Sequence, residues 1–149
     1  MKVRDVMQAE VITVRPDTNV QEVARLLTEH HIRSVPVVDE QQRVIGIISE
    51  SDLFLKEKGI PFSAARLPTL FEKWVEPKQL EEIYKGVAHH MAADVMTEDV
   101  VCVEPEDSIS HAAMLLLQRD IRSMPVVQEK KLVGIVSRVD FVRLLAKAE

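Results

Sequence analysis

Two tetrads in this chain have the residue types and spacing to do chemistry: Ser49-Glu50-Ser51-Asp52 and Ser137-Arg138-Val139-Asp140. Each follows an apolar run, where Ser-x-x-Asp reads as the start of a helix. Two chemistries fit that position. One is a capping box, in which the serine and a carboxylate three residues on satisfy each other's free backbone N–H groups; Glu or Gln is the usual partner and Asp a shorter variant. The other turns the same geometry toward a ligand. A helix start offers unpaired N–H groups and partial positive charge to a phosphate. The serine hydroxyl adds a donor, and an aspartate one turn in can accept from two ribose hydroxyls. The residue after the serine differs. Arg138 would strengthen phosphate binding through charge-assisted hydrogen bonds, whereas Glu50 would oppose a polyphosphate. The two sites are expected to be unequal, with the one carrying Asp140 and Arg138 the better for a charged nucleotide.

The tetrads close a duplicated block that must position them. Ile32-Arg33-Ser34-Val35-Pro36-Val37-Val38 and Ile121-Arg122-Ser123-Met124-Pro125-Val126-Val127 agree at six of seven positions. Pro36 and Pro125 are 125 − 36 = 89 apart, and the same offset carries Asp5-Val6-Met7 onto Asp94-Val95-Met96. Gly46 and Gly134 are 134 − 46 = 88 apart, so one residue is lost in the hydrophilic loop between them, where length drift is tolerated.

In the first half Val11–Val14 reads as a strand stopped at Pro16. Asp17 or Thr18 is positioned to cap a helix whose buried stripe is Val20, Val23, Ala24 and Leu27, ending near His30. Ser34–Val38 and Val44–Ile48 form a hairpin, and Ser49 opens a helix through about Leu55. The second half repeats the order: strand Val100–Val103, helix Ile109–Gln118, strands Ser123–Val127 and Leu132–Val136, helix Ser137–Lys147. The expected fold is α/β, more strictly α+β: two pseudo-twofold-related motifs, each strand-helix-strand-strand-helix, packed through small sheets. Motif 1 spans 1–55, a helical connector 56–91, and motif 2 92–149. The connector holds Phe62, Phe71, Trp74 and Tyr84, with a helical stripe of Leu80, Ile83, Tyr84 and Val87 after Pro77. It reads either as packing or as a partner surface.

Composition narrows the function classes. A hydrophobic content of 46% excludes disorder. No apolar run approaches the roughly 20 residues that span a bilayer, and no basic-then-apolar leader opens the chain. The single cysteine, Cys102, excludes a disulfide framework and fits a reducing cytoplasm. A net charge of −5 argues against a broad nucleic-acid-binding face. His30-His31 and His89-His90 are adjacent pairs; neighbours on a helix diverge by about 100°, so neither pair shares a metal face. Phosphate-loop, dinucleotide and nucleophile-elbow motifs are absent. No metal, cofactor or catalytic residue is expected; a metal-dependent enzyme using the histidines is the weakest rival.

The ordered marks (Asp-Val-Met, the apolar strand with Pro-Val-Val, then Gly-hydrophobic-hydrophobic-Ser-x-x-Asp) resemble the cystathionine-β-synthase (CBS) domain. Their duplication resembles the tandem CBS pair, or Bateman module, over residues 3–55 and 92–145. The resemblance implies a cytoplasmic regulatory sensor, not an enzyme. Such modules often bind AMP, ADP, ATP or S-adenosylmethionine in clefts between the two motifs, commonly dimerise, and signal to a partner. Here the partner is expected to be a separate protein. By the same resemblance Asp52 and Asp140 meet ribose. Ser49, Ser137, Arg138, Arg33, Arg122 and Thr13 face phosphate, although the counterpart of Thr13 is Cys102, which lacks the hydroxyl. Ile12, Val35, Pro36, Met124 and Pro125 are core by default and would sandwich an adenine. The rival from another class is a ligand-free dimerisation or scaffold module acting through the aromatic connector.

Overall fold

The computed structural model describes residues 1–53 and 77–148. In chain order the elements are α1 (Val20–Glu29), β1 (Ser34–Val38), β2 (Val44–Ser49), α2 (Glu50–Leu53), α3 (Pro77–Val87), α4 (Ala92–Val95), α5 (Ile109–Gln118), β3 (Ser123–Gln128), β4 (Lys131–Ser137) and α6 (Arg138–Lys147), with a 3-10 turn at Val3–Asp5. β1 pairs with β2, and β3 pairs with β4.

Two compact units emerge, each discontinuous in sequence. The first comprises Met1–Ile12, Val38–Ile45 and Asp99–Glu149. Its core is Val3, Val103, Ala112, Leu116, Met124, Val126 and Val136. β3 and β4 are antiparallel, with Ser123 opposite Ser137 and an irregularity between Val126 and Val127. The lead-in joins this core: Val3 is fully buried, its N–H donates to the Asp107 carbonyl at 2.8 Å, and Arg4 N–H donates to Pro105 O at 3.0 Å.

The second unit comprises Thr13–Val37 and Gly46–Glu98. The stripe on α1 is as the periodicity demands, with Val20, Val23 and Leu27 buried. Val20 and Val87 pack with Leu53, Ile83 and Val95, so the helical stripe after Pro77 serves as core where it is described. Tyr84 Oη donates to Leu53 O at 3.3 Å, and burial raises its pKa. Ala92 N–H donates to Thr18 O at 2.7 Å and Ala93 N–H to Pro16 O at 3.0 Å. Adding 89 to the pairs Val3–Asp107 and Arg4–Pro105, or subtracting it, yields these same bonds. Each Asp-Val-Met lead-in therefore docks by backbone, in register, in the unit that holds the other half's helix and strands.

Two local expectations change. The strands at Val11–Val14 and Val100–Val103 reduce to single parallel bridges, Val14 to Val37 and Val103 to Val126. The partner strands carry Pro36 and Pro125, whose carbonyls accept from Val14 and Val103 (both 3.1 Å) but which have no N–H to extend a ladder. The α1 cap is Asn19, whose Oδ1 accepts from Glu22 N–H at 2.8 Å; the Thr18 hydroxyl accepts from Arg15 N–H instead. α1 and α5 end alike. His31 and Asp120 take left-handed φ values of 53° and 50°, and Ile32 and Ile121 N–H donate back to Leu27 O and Leu116 O, both at 3.1 Å. This is the Schellman closure, so His31 is a helix-end residue. The aromatics Phe62, Phe71 and Trp74 lie outside the described residues.

Candidate functional site

Each Ser-x-x-Asp tetrad folds into the same corner where a strand turns into a helix. After β4, Asp140 Oδ2 accepts from Ser137 N–H at 2.7 Å and from Ser137 Oγ at 3.0 Å. After β2, Asp52 Oδ2 accepts from Ser49 N–H at 2.8 Å and from Ser49 Oγ at 3.1 Å. The hydroxyl donates to the carboxylate in both corners. Both corners are also pinned to the preceding strand's entry: Arg138 N–H donates to Arg122 O at 2.9 Å, and Glu50 N–H to Arg33 O at 2.8 Å. The sequence-selected sets Ser137, Arg138, Asp140, Arg122 and Ser49, Asp52, Arg33 are thus each gathered at one corner.

The corners differ in what else holds the aspartate. Asp140 is 3% exposed. Its Oδ1 accepts from Gln8 Nε2 and from Arg143 Nη1, both at 2.9 Å. A carboxylate has about four acceptor positions, so Asp140 is saturated by four donors. Sequence reasoning missed Gln8 and Arg143. Arg143 is legible as an i+3 partner on α6. Gln8 is 132 residues away from Asp140 and nothing local marks it; only the repeat register, which sets Gln8 against Ile135 as Thr97 is set against Ile47, points there. Asp52 is only partly buried.

Arg138 is exposed but engaged. Its guanidinium donates to Ile121 O at 2.9 Å, Leu116 O at 3.3 Å and Asp120 Oδ1 at 3.3 Å. It closes the C-terminal end of α5, where carbonyls lack helical partners. Arg33 and Arg122 are exposed beside their strands, and Ile12 and Thr13 are partly buried. Val35, Pro36, Met124 and Pro125 are buried, Met124 within the first unit's core. Cys102 is half-buried; desolvation raises its thiol pKa, which disfavours the reactive thiolate.

The second unit has an open cleft of about 460 Å³ beside the end of α1. Apolar Ala24, Leu27, Ile32 and Leu53 line it with Thr28, His31, Arg33 and Glu50. Of the residues assigned to ligand from sequence, only Arg33 reaches it. Among the described residues no cluster of three or more His, Cys, Asp or Glu is placed to hold a metal ion. No described helix is long and apolar enough to cross a membrane.

Known proteins similar to this chain in sequence and fold are consistent in kind. The chain is 31% identical over 135 residues to the chloroplastic CBS domain-containing protein CBSX1 of Arabidopsis thaliana, covering 87% of this chain and 57% of that protein. The crystal structure of the CBS domain of a CBS domain-containing membrane protein from Sphaerobacter thermophilus is 34% identical, with a TM-score of 0.71 over 97% of this chain and 87% of that one. The structure of CBSX2 in complex with AMP, a protein of Arabidopsis thaliana, is 26% identical, with a TM-score of 0.72 over 98% of this chain and 96% of that one. The CBS domain family model matches twice, at residues 3–58 and 92–147. These two matches coincide with the duplicated corners and their strands, and the chain belongs to the CBS domain family as a tandem pair.

Proposed function

We propose that this protein is a regulatory sensor that binds an adenosine-containing ligand (AMP, ADP, ATP or S-adenosylmethionine) at its Ser-x-x-Asp corners. A change of shape then signals to a separate partner protein. The observation that carries this reading is the corner built twice with the same geometry: a serine hydroxyl and a carboxylate held together at a strand-to-helix turn, as phosphate-side and ribose-side groups would be. The AMP complex of CBSX2, at 26% identity over nearly the whole chain, supports the ligand class. In this reading Asp52 and Asp140 receive ribose. Ser49, Ser137, Arg33, Arg122, Arg138 and Thr13 face phosphate, and Ile12 with the strand edges around Val35, Pro36, Met124 and Pro125 flanks the base. Motif 1 (1–55) and motif 2 (92–149) are joined by the connector 56–91. The protein works in the cytoplasm and regulates rather than catalyses.

A homodimer fits the apolar face of α5 and α6. Leu117 is 77% exposed and Leu145 76%, with Met114, Val139 and Val142 also outward. Apolar surface of this kind on a small unit favours association. The rival reading is a ligand-free dimerisation or scaffold module acting through the connector 56–91.

Thermal unfolding with each adenosine compound at millimolar concentration tests the proposal. At 100 times its dissociation constant a ligand selective for the native state adds about 2.7 kcal/mol, a rise of several degrees in Tm for a chain of this size. One of the four compounds is expected to raise the Tm, and D52A with D140A to abolish the rise. No shift with any of them would leave the dimerisation reading.

A further inference from the structure

We infer that Gln8 is the gate of the Asp140 site: its side-chain amide occupies the acceptor position a sugar hydroxyl needs, and ligand enters by displacing it. This rests on the reading of Asp140 as a ribose residue. The acceptor count carries the argument. Asp140 Oδ2 is taken by the backbone N–H and the hydroxyl of Ser137, bonds fixed by the helix start. Oδ1 is taken by Gln8 and Arg143. With four donors in place the carboxylate cannot accept from even one hydroxyl of a ribose until one of them leaves.

The donor that leaves is the one lost at least cost. The Ser137 N–H is part-buried against its partner and fixed by the helix start, and orphaning it would carry a desolvation penalty. Arg143 brings the charge that offsets burying the carboxylate. Gln8 is neutral and exposed, so water recovers its amide when it swings out, and a neutral hydrogen bond is the weaker kind. Its backbone need not move, because Gln8 N–H donates to Ile135 O at 2.8 Å and Ile135 N–H to Gln8 O at 2.9 Å. The gate is therefore a side-chain rotation on a fixed strand bridge. The residue in register with Gln8 in the other half is Thr97 (97 − 8 = 89), which is too short to copy the glutamine's reach.

The experiment is AMP titration of wild type, Q8A and Q8L by calorimetry, with ¹⁵N NMR of the Gln8 side-chain amide. Removing a competing neutral hydrogen bond should tighten AMP at the Asp140 site about three- to tenfold. In wild type the Gln8 amide resonance should move to its solvent-exposed position as AMP saturates. Q8L, similar in size but without a donor, should match Q8A. AMP binding with unchanged affinity in both variants and an unmoved Gln8 amide overturns the gate and leaves the sensor reading standing. Binding of none of AMP, ADP, ATP and S-adenosylmethionine, by wild type or variants, overturns both.

Discussion

The corner at Ser49–Asp52 and the corner at Ser137–Asp140 share their cap and their backbone tie to Arg33 and Arg122, and differ in how deeply the aspartate is buried. Both place a serine hydroxyl and backbone N–H on one carboxylate oxygen within 0.1 Å of the same distances. The second corner adds Gln8 and Arg143 on the other oxygen and buries the aspartate. Duplication thus preserved the backbone device, and around Asp140 the side chains of Gln8 and Arg143 close on it. That difference is a difference in stability before it is one in binding.

Its largest expression is the aspartate itself. D140A removes an acceptor serving four donors at a buried site and should cost about 2–3 kcal/mol, combining a lost cap with lost charge-assisted bonds. D52A removes the same cap from a partly exposed corner and should cost about 1 kcal/mol. Urea unfolding of both variants without ligand makes the comparison. Equal losses would mean that Gln8 and Arg143 add nothing.

The glycines ahead of the corners sharpen the comparison at intermediate size. A Cβ on Gly134 would lie 2.9 Å from the Gln8 carbonyl oxygen and 2.8 Å from Met7 Sδ. A Cβ on Gly46 would meet the Met96 side chain alone within that range. Met96 is flexible and can yield, whereas the Gln8 carbonyl is bonded to Ile135 N–H. G134A should therefore cost about 1–3 kcal/mol and G46A less, measured by thermal unfolding. The reverse order would show that the lead-in bridge, not the methionine, is the soft side.

How much of this was legible in the sequence follows from which groups make the bonds. The helices and hairpins were readable because α1 and α5 carry apolar stripes and because β2 and β4 each carry a glycine inside and a serine at the end. The two caps were readable because a capping box is local. The short strands at Val14 and Val103 were over-read, since β-branched residues there found proline-bearing partners that offer few donors. The exchange of lead-ins was not legible: Val3 and Val95 look like the start of their own halves, and only packing shows which core they enter. Gln8 on Asp140 was hidden for the same reason, because a long-range side-chain bond leaves no period behind.

The smallest effect tests the lead-ins themselves. Both dock by the same backbone bonds, but Lys2 and Arg4 also pair with Glu106, whereas the residues in register are Met91, Ala93 and Asp17 (91 − 2 = 93 − 4 = 106 − 17 = 89). The hydrogen bond from Lys2, with the charges of Arg4 and Lys2, holds the Glu106 carboxyl below its ordinary pKa. A carboxylate depressed in the folded state adds stability that is fully present above its unfolded pKa, about 4.3, and is lost as pH falls through the folded value. E106Q should therefore lower the Tm slightly at pH 7 in low salt. The gap should close toward acid and in high salt, because these side chains are about half exposed and screened. D17N should show no such gap. A deficit in E106Q that persists unchanged at low pH and high salt would assign Glu106 a packing role and leave the two lead-ins equivalent.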